Sequence, residues 1–413
     1  MSEQAKLDGA RSANEGSRRE PGVLTFIALV SITLIGPLSI HLFLPAIPFV
    51  RAAFTADAAL AQLAFSIAML AMSTATLFYG SLSDRFGRLP VVVGGIGLFS
   101  IGAAVAALAP TIEILIAGRV LQGLGAACGM VMARAIARDL YGADRLGQMI
   151  AYITAAYVVG PMFSPLIAGF LIDAFGWQSI LILPAVFGAL AITIAITVIG
   201  ETKPRDLLPQ SGLLRGYRQL LTTPRFLLFA LNPGFGTAGF FSLNSGSAYL
   251  MVETMGRPAS EYGVYFMFGA VGYLTGNFLS GRLSKVLSGA ALIVTGSLVT
   301  LGGGVLLAVL LTTVGLHPLC LFIPSSLLSL GQGLSMPQAQ ANAIRTEPTL
   351  TGTASGIVVF LQFFLGAVFS QLAGMSTAGS AGPLIAVVLT TTMLAAATGI
   401  AGVILTLRTG GRV

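Results

Sequence analysis

This chain carries almost no charge: Asp, Glu, Lys and Arg make up 9% of its 413 residues, hydrophobic residues make up 55%, and the mean hydropathy is +0.90. A soluble domain does not keep so few charges on its surface, so the solvent for most of this chain is lipid. Cysteine is nearly absent as well. Cys128 and Cys320 both fall in apolar runs, which argues against a disulfide framework and against a metal site. Histidine occurs twice and tryptophan once. No Gly-Lys-Ser/Thr phosphate loop is present, so the chain by itself is not an ATP-driven pump. Neither a Ser/His/Asp constellation nor metal-ligand spacing appears; an enzyme is not expected, and no metal or cofactor is implied. The short apolar/polar alternation of a membrane β-barrel is also missing.

What the chain has is long apolar runs rich in Ala, Leu and Gly. A helix needs about 20 apolar residues to cross about 30 Å of hydrocarbon. Twelve such spans can be marked, at roughly 23–49, 59–82, 89–109, 112–133, 148–171, 178–199, 226–251, 262–281, 289–313, 317–338, 352–374 and 382–407. The expected fold class is therefore an all-α polytopic membrane protein with 12 transmembrane helices. The first span is too long for a signal-peptide core and ends in Leu44-Pro45-Ala46-Ile47-Pro48 rather than a cleavage site, so it is expected to remain.

Basic residues orient the chain. With the N-terminus inside, 19 of the 22 Lys and Arg fall on cytoplasmic segments, Arg51 and Arg257 fall outside, and Arg119 lies within a span. Both termini are thus expected in the cytoplasm, and the net charge of +7 records topology rather than nucleic-acid binding. The polar segment 201–224 separates six spans from six. The expected division is a tail at 1–22, a first half at 23–200, a linker at 201–224, a second half at 225–407 and a tail at 408–413. Leu82-Ser83-Asp84-Arg85 after span 2 is echoed by Leu279-Ser280-Gly281-Arg282 after span 8. Two parallel repeats of this kind suit a central site with alternating access.

Several motifs carry more than topology. Gly80-x-Leu82-x-Asp84-Arg85-x-Gly87-Arg88 packs charge and glycine into the turn between spans 2 and 3. Arg119-Val120-Leu121-Gln122-Gly123-Leu124-Gly125-Ala126-Ala127 lies in span 4, and the run continues to Ala135-Ile136-Ala137-Arg138-Asp139-Leu140-Tyr141. Gly160-Pro161-Met162-Phe163-Ser164-Pro165 lies in span 5, and Gly200-Glu201-Thr202 follows span 6. In order and across the whole chain, these stretches resemble the major facilitator superfamily, and within it the drug:proton antiporters of the Bcr/CflA type.

The resemblance implies two pseudo-symmetric six-helix halves and export of small amphiphilic drugs in exchange for protons, in a bacterial inner membrane. It implies that Gly80, Asp84, Arg85, Gly87 and Arg88 form a conformational gate. In that gate Asp84 pairs with Arg134 or Arg138, which share a helix face, and with the start of span 11 near Thr351-Gly352-Thr353. The free N–H groups and positive dipole end there attract a carboxylate. Arg119 is assigned to proton coupling, and Gly160, Pro161 and Pro165 to the bent antiporter segment of span 5.

Arg119 sits about 10 Å below the end of its span, too deep to stand unpaired outside a polar cavity or a partner's reach. His41 departs from the family pattern, which has an acid near this point of span 1. At about 12 Å depth, with an ordinary imidazole titrating at about pH 6.5, it reads as a proton site, a cavity hydrogen-bonder or a packed core histidine. No carboxylate falls mid-membrane, which favours neutral or weakly polar substrates of the chloramphenicol or bicyclomycin kind. Polar side chains inside the spans nominate the cavity: Tyr157, Asn232, Asn244, Gln332 and Gln362. Phe240, Phe241 and Phe363 are either its apolar walls or bundle packing. Asn232-Pro233-Gly234 predicts a break in span 7, Trp177 an interfacial anchor, and Gly123-x-Gly125-x-x-x-Gly129 close helix packing. The expected partners are a small-molecule drug, protons and membrane lipid, with no nucleic acid, and the chain acting as a monomer. A nutrient carrier of the same fold is the rival reading; a membrane sensor or enzyme has no supporting segment.

Overall fold

The computed structural model describes residues 22–203, 213–376 and 380–410, with the side chains of 142–148, 150–151, 154–159, 213–215, 348 and 376 outside the description. The regular structure among the described residues is helical, without strands. The helices are α1 (Val23–His41), α2 (Ile47–Ala53), α3 (Ala58–Phe86), α4 (Arg88–Ala107), α5 (Ile112–Phe175), α6 (Ser179–Ile194), α7 (Leu213–Leu221), α8 (Pro224–Tyr249), α9 (Ala259–Leu283), α10 (Gly289–Thr313), α11 (Pro318–Arg345), α12 (Thr351–Ser376) and α13 (Gly382–Arg408). Ten helical stretches among the described residues are long and apolar enough to cross a membrane.

Two expected spans are not among those ten, for different reasons. Span 5 is the second limb of α5. That helix cannot be one straight rod of 64 residues, because such a rod would be about 96 Å long. A Cβ on Gly129 would meet the Ile32 carbonyl at 2.1 Å, and one on Gly160 would meet the Leu34 side chain at 2.4 Å. Positions 31 apart on α5 therefore touch one level of α1, where a straight helix would separate them by about 46 Å. The chain doubles back between them, and α5 supplies two crossings. Span 8 coincides with α9, whose hydropathy is lowered by its glycines and by Tyr262, Tyr265, Tyr273 and Asn277. Only part of α9 meets lipid, through Val264, Phe268, Val271 and Phe278. Its opposite face, with Gly263, Gly269, Gly272 and Gly276, is buried against α5 and α11. The result is twelve crossings in two halves of six.

Packing within each half follows small residues, since lipid tails give no hydrophobic drive between helices. The glycines of α5 serve three neighbours. A Cβ on Gly123 would meet the Ala68 carbonyl of α3 at 2.3 Å, and one on Gly125 the Phe99 amide of α4 at 2.3 Å, while Gly129 backs onto α1. The halves meet through α3 against α12 and through the second limb of α5 against α9. The amphipathic α7 lies on the second half, its Tyr217 and Leu220 packed with Phe226 and Ile357.

Two expectations are corrected here. Span 7 is not broken at Asn232-Pro233-Gly234: α8 runs through Pro233. The segment is buried among α10, α12 and α13, and Asn232 Nδ2 donates to Ser297 Oγ (3.0 Å) and to the Ala395 carbonyl (2.8 Å), so neighbouring helices hold it in line. Trp177 is not an anchor at the lipid surface. It is 9% exposed, with its ring edge-on to Phe54 at 5.7 Å.

Candidate functional site

The first crossing is interrupted where two prolines fall close together. Pro45 and Pro48 have no N–H to give, so the carbonyls of His41 and Leu44 lose their α-helical donors. The chain passes through a 3₁₀ turn at Leu44–Ala46 before α2 resumes. Two carbonyls just before this break take side-chain donors. His41, the last residue of α1, donates Nδ1–H to the Pro37 carbonyl at 3.1 Å. A carbonyl can only accept, so in the neutral ring Nε2 keeps its lone pair, and it has no hydrogen bond among the described residues. Two residues earlier, the Ser39 carbonyl accepts from Arg119 Nη1 at 3.2 Å.

Arg119 is fully buried. Its Nε donates to the Ala64 carbonyl (3.0 Å), its Nη1 also to Gln122 Oε1, and its guanidinium lies 4.2 Å over the Phe43 ring. Carbonyl dipoles and a cation–π contact thus take the place of a carboxylate. Arg119 Nη2 and Gln122 Nε2 have no partner among the described residues.

His41 also faces a cavity of about 140 Å³ between the halves. Its ring lies 5.4 Å from Phe241, 6.4 Å from Phe266 and 6.5 Å from Phe240. Pro161 and Met162 complete the first-half wall, and Thr237, Tyr273, Gln332, Met336, Gln362 and Phe363 belong to the second. Among the described residues, no Asp, Glu, Lys or Arg lines it. Gln332 Nε2 donates to Thr237 Oγ1 at 3.2 Å. Of the polar residues nominated from sequence, Gln332 and Gln362 reach this cavity. Asn232 and Asn244 do not: the first ties α8 to α10 and α13, and the second donates to the Phe240 carbonyl (2.8 Å) one turn back. The Tyr157 side chain lies outside the described residues. Gly160 and Pro165 pack away from the cavity, against Leu34 and Gly263.

At the Asp84 end the halves are parted by a cleft of about 480 Å³. One wall carries Gly80, Asp84, Arg88, Arg134 and Arg138; the other carries Gly352, Thr353, Ser355 and Gly356 at the start of α12. Asp84 and that helix start face each other across the gap. In this conformation the partner of Asp84 is Arg88, at 2.7 Å, rather than Arg134 or Arg138. Arg88 is 1% exposed, and its Nε also bonds Asp139 Oδ2 at 2.9 Å. Arg138 approaches Asp139 at 3.9 Å, and Arg134 makes no ion pair among the described residues. Arg85 stacks over Phe86.

Glu201, beyond α6, braces this turn from below. Its carboxylate accepts from the Arg88 N–H (2.9 Å), the Leu89 N–H (3.2 Å) and the Lys203 N–H (2.8 Å), capping the N-terminus of α4. Partial burial pushes its carboxyl up, but the N–H groups of Lys203, Arg88, Leu89 and Thr202 outweigh that and hold it below the usual carboxylate range. Gly87 has φ +100°, and a Cβ there would sit 2.6 Å from Glu201 Oε2, so both backbone and space require glycine.

The opposite end is shut by contacts between the halves. Asp173 on α5 accepts from the Ala259 N–H (3.2 Å) and the Ser260 N–H (2.9 Å), capping α9. Arg51 pairs with Glu253. The Tyr249 hydroxyl donates to the Ala58 carbonyl (3.3 Å), and Gln371 links to Ser66 and to the Ala59 carbonyl. Sequence reasoning missed Asp139, Glu201, Asp173 and Glu253 as working residues. The first two lie inside quoted motifs; the last two have partners 86 and 202 positions away and no local signal.

The Major Facilitator Superfamily model matches residues 29–371. "Multidrug resistance protein D" of Escherichia coli is 27% identical over 87% of this chain and 90% of its own length. A "Bicyclomycin resistance protein homolog" of Haemophilus influenzae is 24% identical over 87% and 92%. Among solved structures, a bacterial homolog of the human lysosomal transporter Spinster superposes with a TM-score of 0.74 at 17% identity, over 95% of this chain and 98% of that one. The xylose transporter XylE of E. coli gives 0.71 at 14%, over 95% and 99%.

Proposed function

Because the chain belongs to the Major Facilitator Superfamily, we propose that it is a secondary exporter of the bacterial inner membrane, exchanging small uncharged drugs for protons. The Asp84 end and both termini face the cytoplasm, on the distribution of Lys and Arg, and segment 201–224 links the two halves. The relatives named for multidrug and bicyclomycin resistance favour a drug as substrate.

The observation that carries this reading is that His41 lines the central cavity with Nε2 unbonded, in a lining without formal charge among the described residues. A proton and an apolar molecule then compete for one place. Protonated His41 puts a cation in the cavity, and burying an unpaired cation against an apolar ligand is strongly unfavourable. The neutral ring accepts the ligand. With the cleft open to the cytoplasm, drug entry favours loss of the His41 proton to that side; with the opposite end open, drug departure lets Nε2 take a proton from outside. Arg119 holds the carbonyl of Ser39 and so ties the end of α1, with its histidine, to α5. Asp84 closes the cytoplasmic cleft by reaching the N-terminus of α12.

Drug uptake into inverted membrane vesicles with an imposed pH gradient tests the exchange. His41→Ala should leave the protein in the membrane and make the remaining uptake indifferent to the gradient. Gradient-driven uptake at the wild-type level in that variant would remove His41 as the proton site.

A further inference from the structure

The central cavity also says what kind of molecule it takes. At about 140 Å³ it is close to the hole of about 150 Å³ that accepts benzene, and well under the roughly 300–1,000 Å³ of a whole drug site. It has room for one six-membered ring, with the rest of the molecule outside it. Phe240, Phe241, Phe266 and Phe363 supply ring faces and edges around that space. Aromatic pairs favour offset or edge-on contact at such walls.

The polar groups of the lining are not equally available. Gln332 is committed to Thr237, and His41 Nδ1 to the Pro37 carbonyl. Gln362, on α12, is 6% exposed and makes no hydrogen bond among the described residues; its Nε2 is sealed from solvent without a partner. A buried amide in that condition destabilises the empty protein. It is satisfied when a ligand brings an acceptor and the side chain turns Nε2 toward it.

We infer that Gln362 is the specificity-determining residue of a one-ring subsite. The molecule recognised there is an uncharged aromatic whose ring bears an oxygen acceptor, such as a nitro, carbonyl or amide group. Gln362 Nε2 donates to that oxygen while the phenylalanines hold the ring. Uncharged molecules without an aromatic ring, and organic cations, lack one or the other match. The inference rests on the central cavity being the substrate site, as proposed above.

Purified full-length protein in lipid nanodiscs provides the test, with labelled chloramphenicol, an uncharged nitro-aromatic, as the probe. Bicyclomycin, uncharged and without an aromatic ring, and ethidium, a cation, serve as competitors. Wild type should bind chloramphenicol, and neither competitor should displace it at matched concentration. Gln362→Leu should weaken binding about tenfold and raise the melting temperature of the ligand-free protein, because it removes an unbonded buried amide. Phe363→Leu should weaken binding without that gain. An amide with a merely structural role would lower the melting temperature and leave the affinity alone. No chloramphenicol binding by wild type, binding by Gln362→Leu within twofold of wild type, or displacement by bicyclomycin overturns the inference. Failure of the exchange mechanism shows up elsewhere, as uptake into proteoliposomes that ignores the pH gradient while binding keeps its dependence on Gln362.

Discussion

Arg119 is a buried cation surrounded by the carbonyls of Ala64 and Ser39, the Gln122 amide and the face of Phe43. That arrangement needs a planar fork that donates in several directions at once, which an ammonium on a flexible stem does not provide. Arg119→Lys should therefore lose transport, and it should lower stability by about 1–3 kcal/mol for each group left unbonded, read from thermal melting in detergent. Glu201 gives a pH-dependent counterpart. Its folded pKa lies below the unfolded one, so its contribution is complete above the unfolded value of about 4.3 and is lost as the pH falls through the depressed value. Melting curves of wild type and Glu201→Gln should differ near neutrality and converge in acid. Curves that stay parallel through that range would show that the carboxylate is not what caps α4.

At the scale of helices, α5 is decided by its glycines and by Asp173 near its far end. The Gly123/Gly125/Gly129 pattern was legible because close approach needs glycine wherever the neighbour is, and it recurs at a local spacing. Likewise, the charged turn before α4 and the burial of Arg119 could be read from motif and span length. Asn232 could not be placed, because its partners Ser297 and Ala395 are 65 and 163 positions away. The same polar residue type in an apolar span serves as interhelical tie or cavity lining according to helix rotation, which the sequence leaves open; Gln362 fell on the other side of that choice. Pro233 misled for a related reason: the cost of its missing N–H is set by neighbouring helices rather than by the tripeptide. Asp173 yields a prediction at this scale. The Arg51–Glu253 pair is about a third exposed on each side, and exposed pairs are worth about 0–1 kcal/mol. Asp173 makes two N–H bonds to a helix N-terminus, and bonds to charged groups are worth about 1.5–3 kcal/mol each. Asp173→Asn should shift the protein toward opening at that end more than Glu253→Gln does, as measured by distances between spin labels on the two halves. An equal or smaller shift would assign the closure to the ion pair.

Across the whole molecule the two ends are built on one plan. Each has a carboxylate on the first half and a helix N-terminus on the second: Asp173 with α9, joined in this structure, and Asp84 with α12, separated by the cleft. In the exchange proposed above, a rocking motion that opens one contact closes the other, so the two carboxylates would bias a single equilibrium in opposite directions. Asp84→Asn should enrich the conformation seen here, open at the Asp84 end, and Asp173→Asn should deplete it, each by about tenfold for a difference of about 1.4 kcal/mol. The sites are at opposite ends and share no partner, so their effects on the equilibrium should add. Asp84→Asn/Asp173→Asn should therefore return the ratio of the two conformations close to that of wild type. It should not restore transport, because the proposed exchange needs each end to seal in turn, and a balanced pair of weakened seals leaks. Label distances at both ends, together with drug uptake, separate the two outcomes. A double variant that keeps the single-variant imbalance would mean that the ends do not act on a common motion.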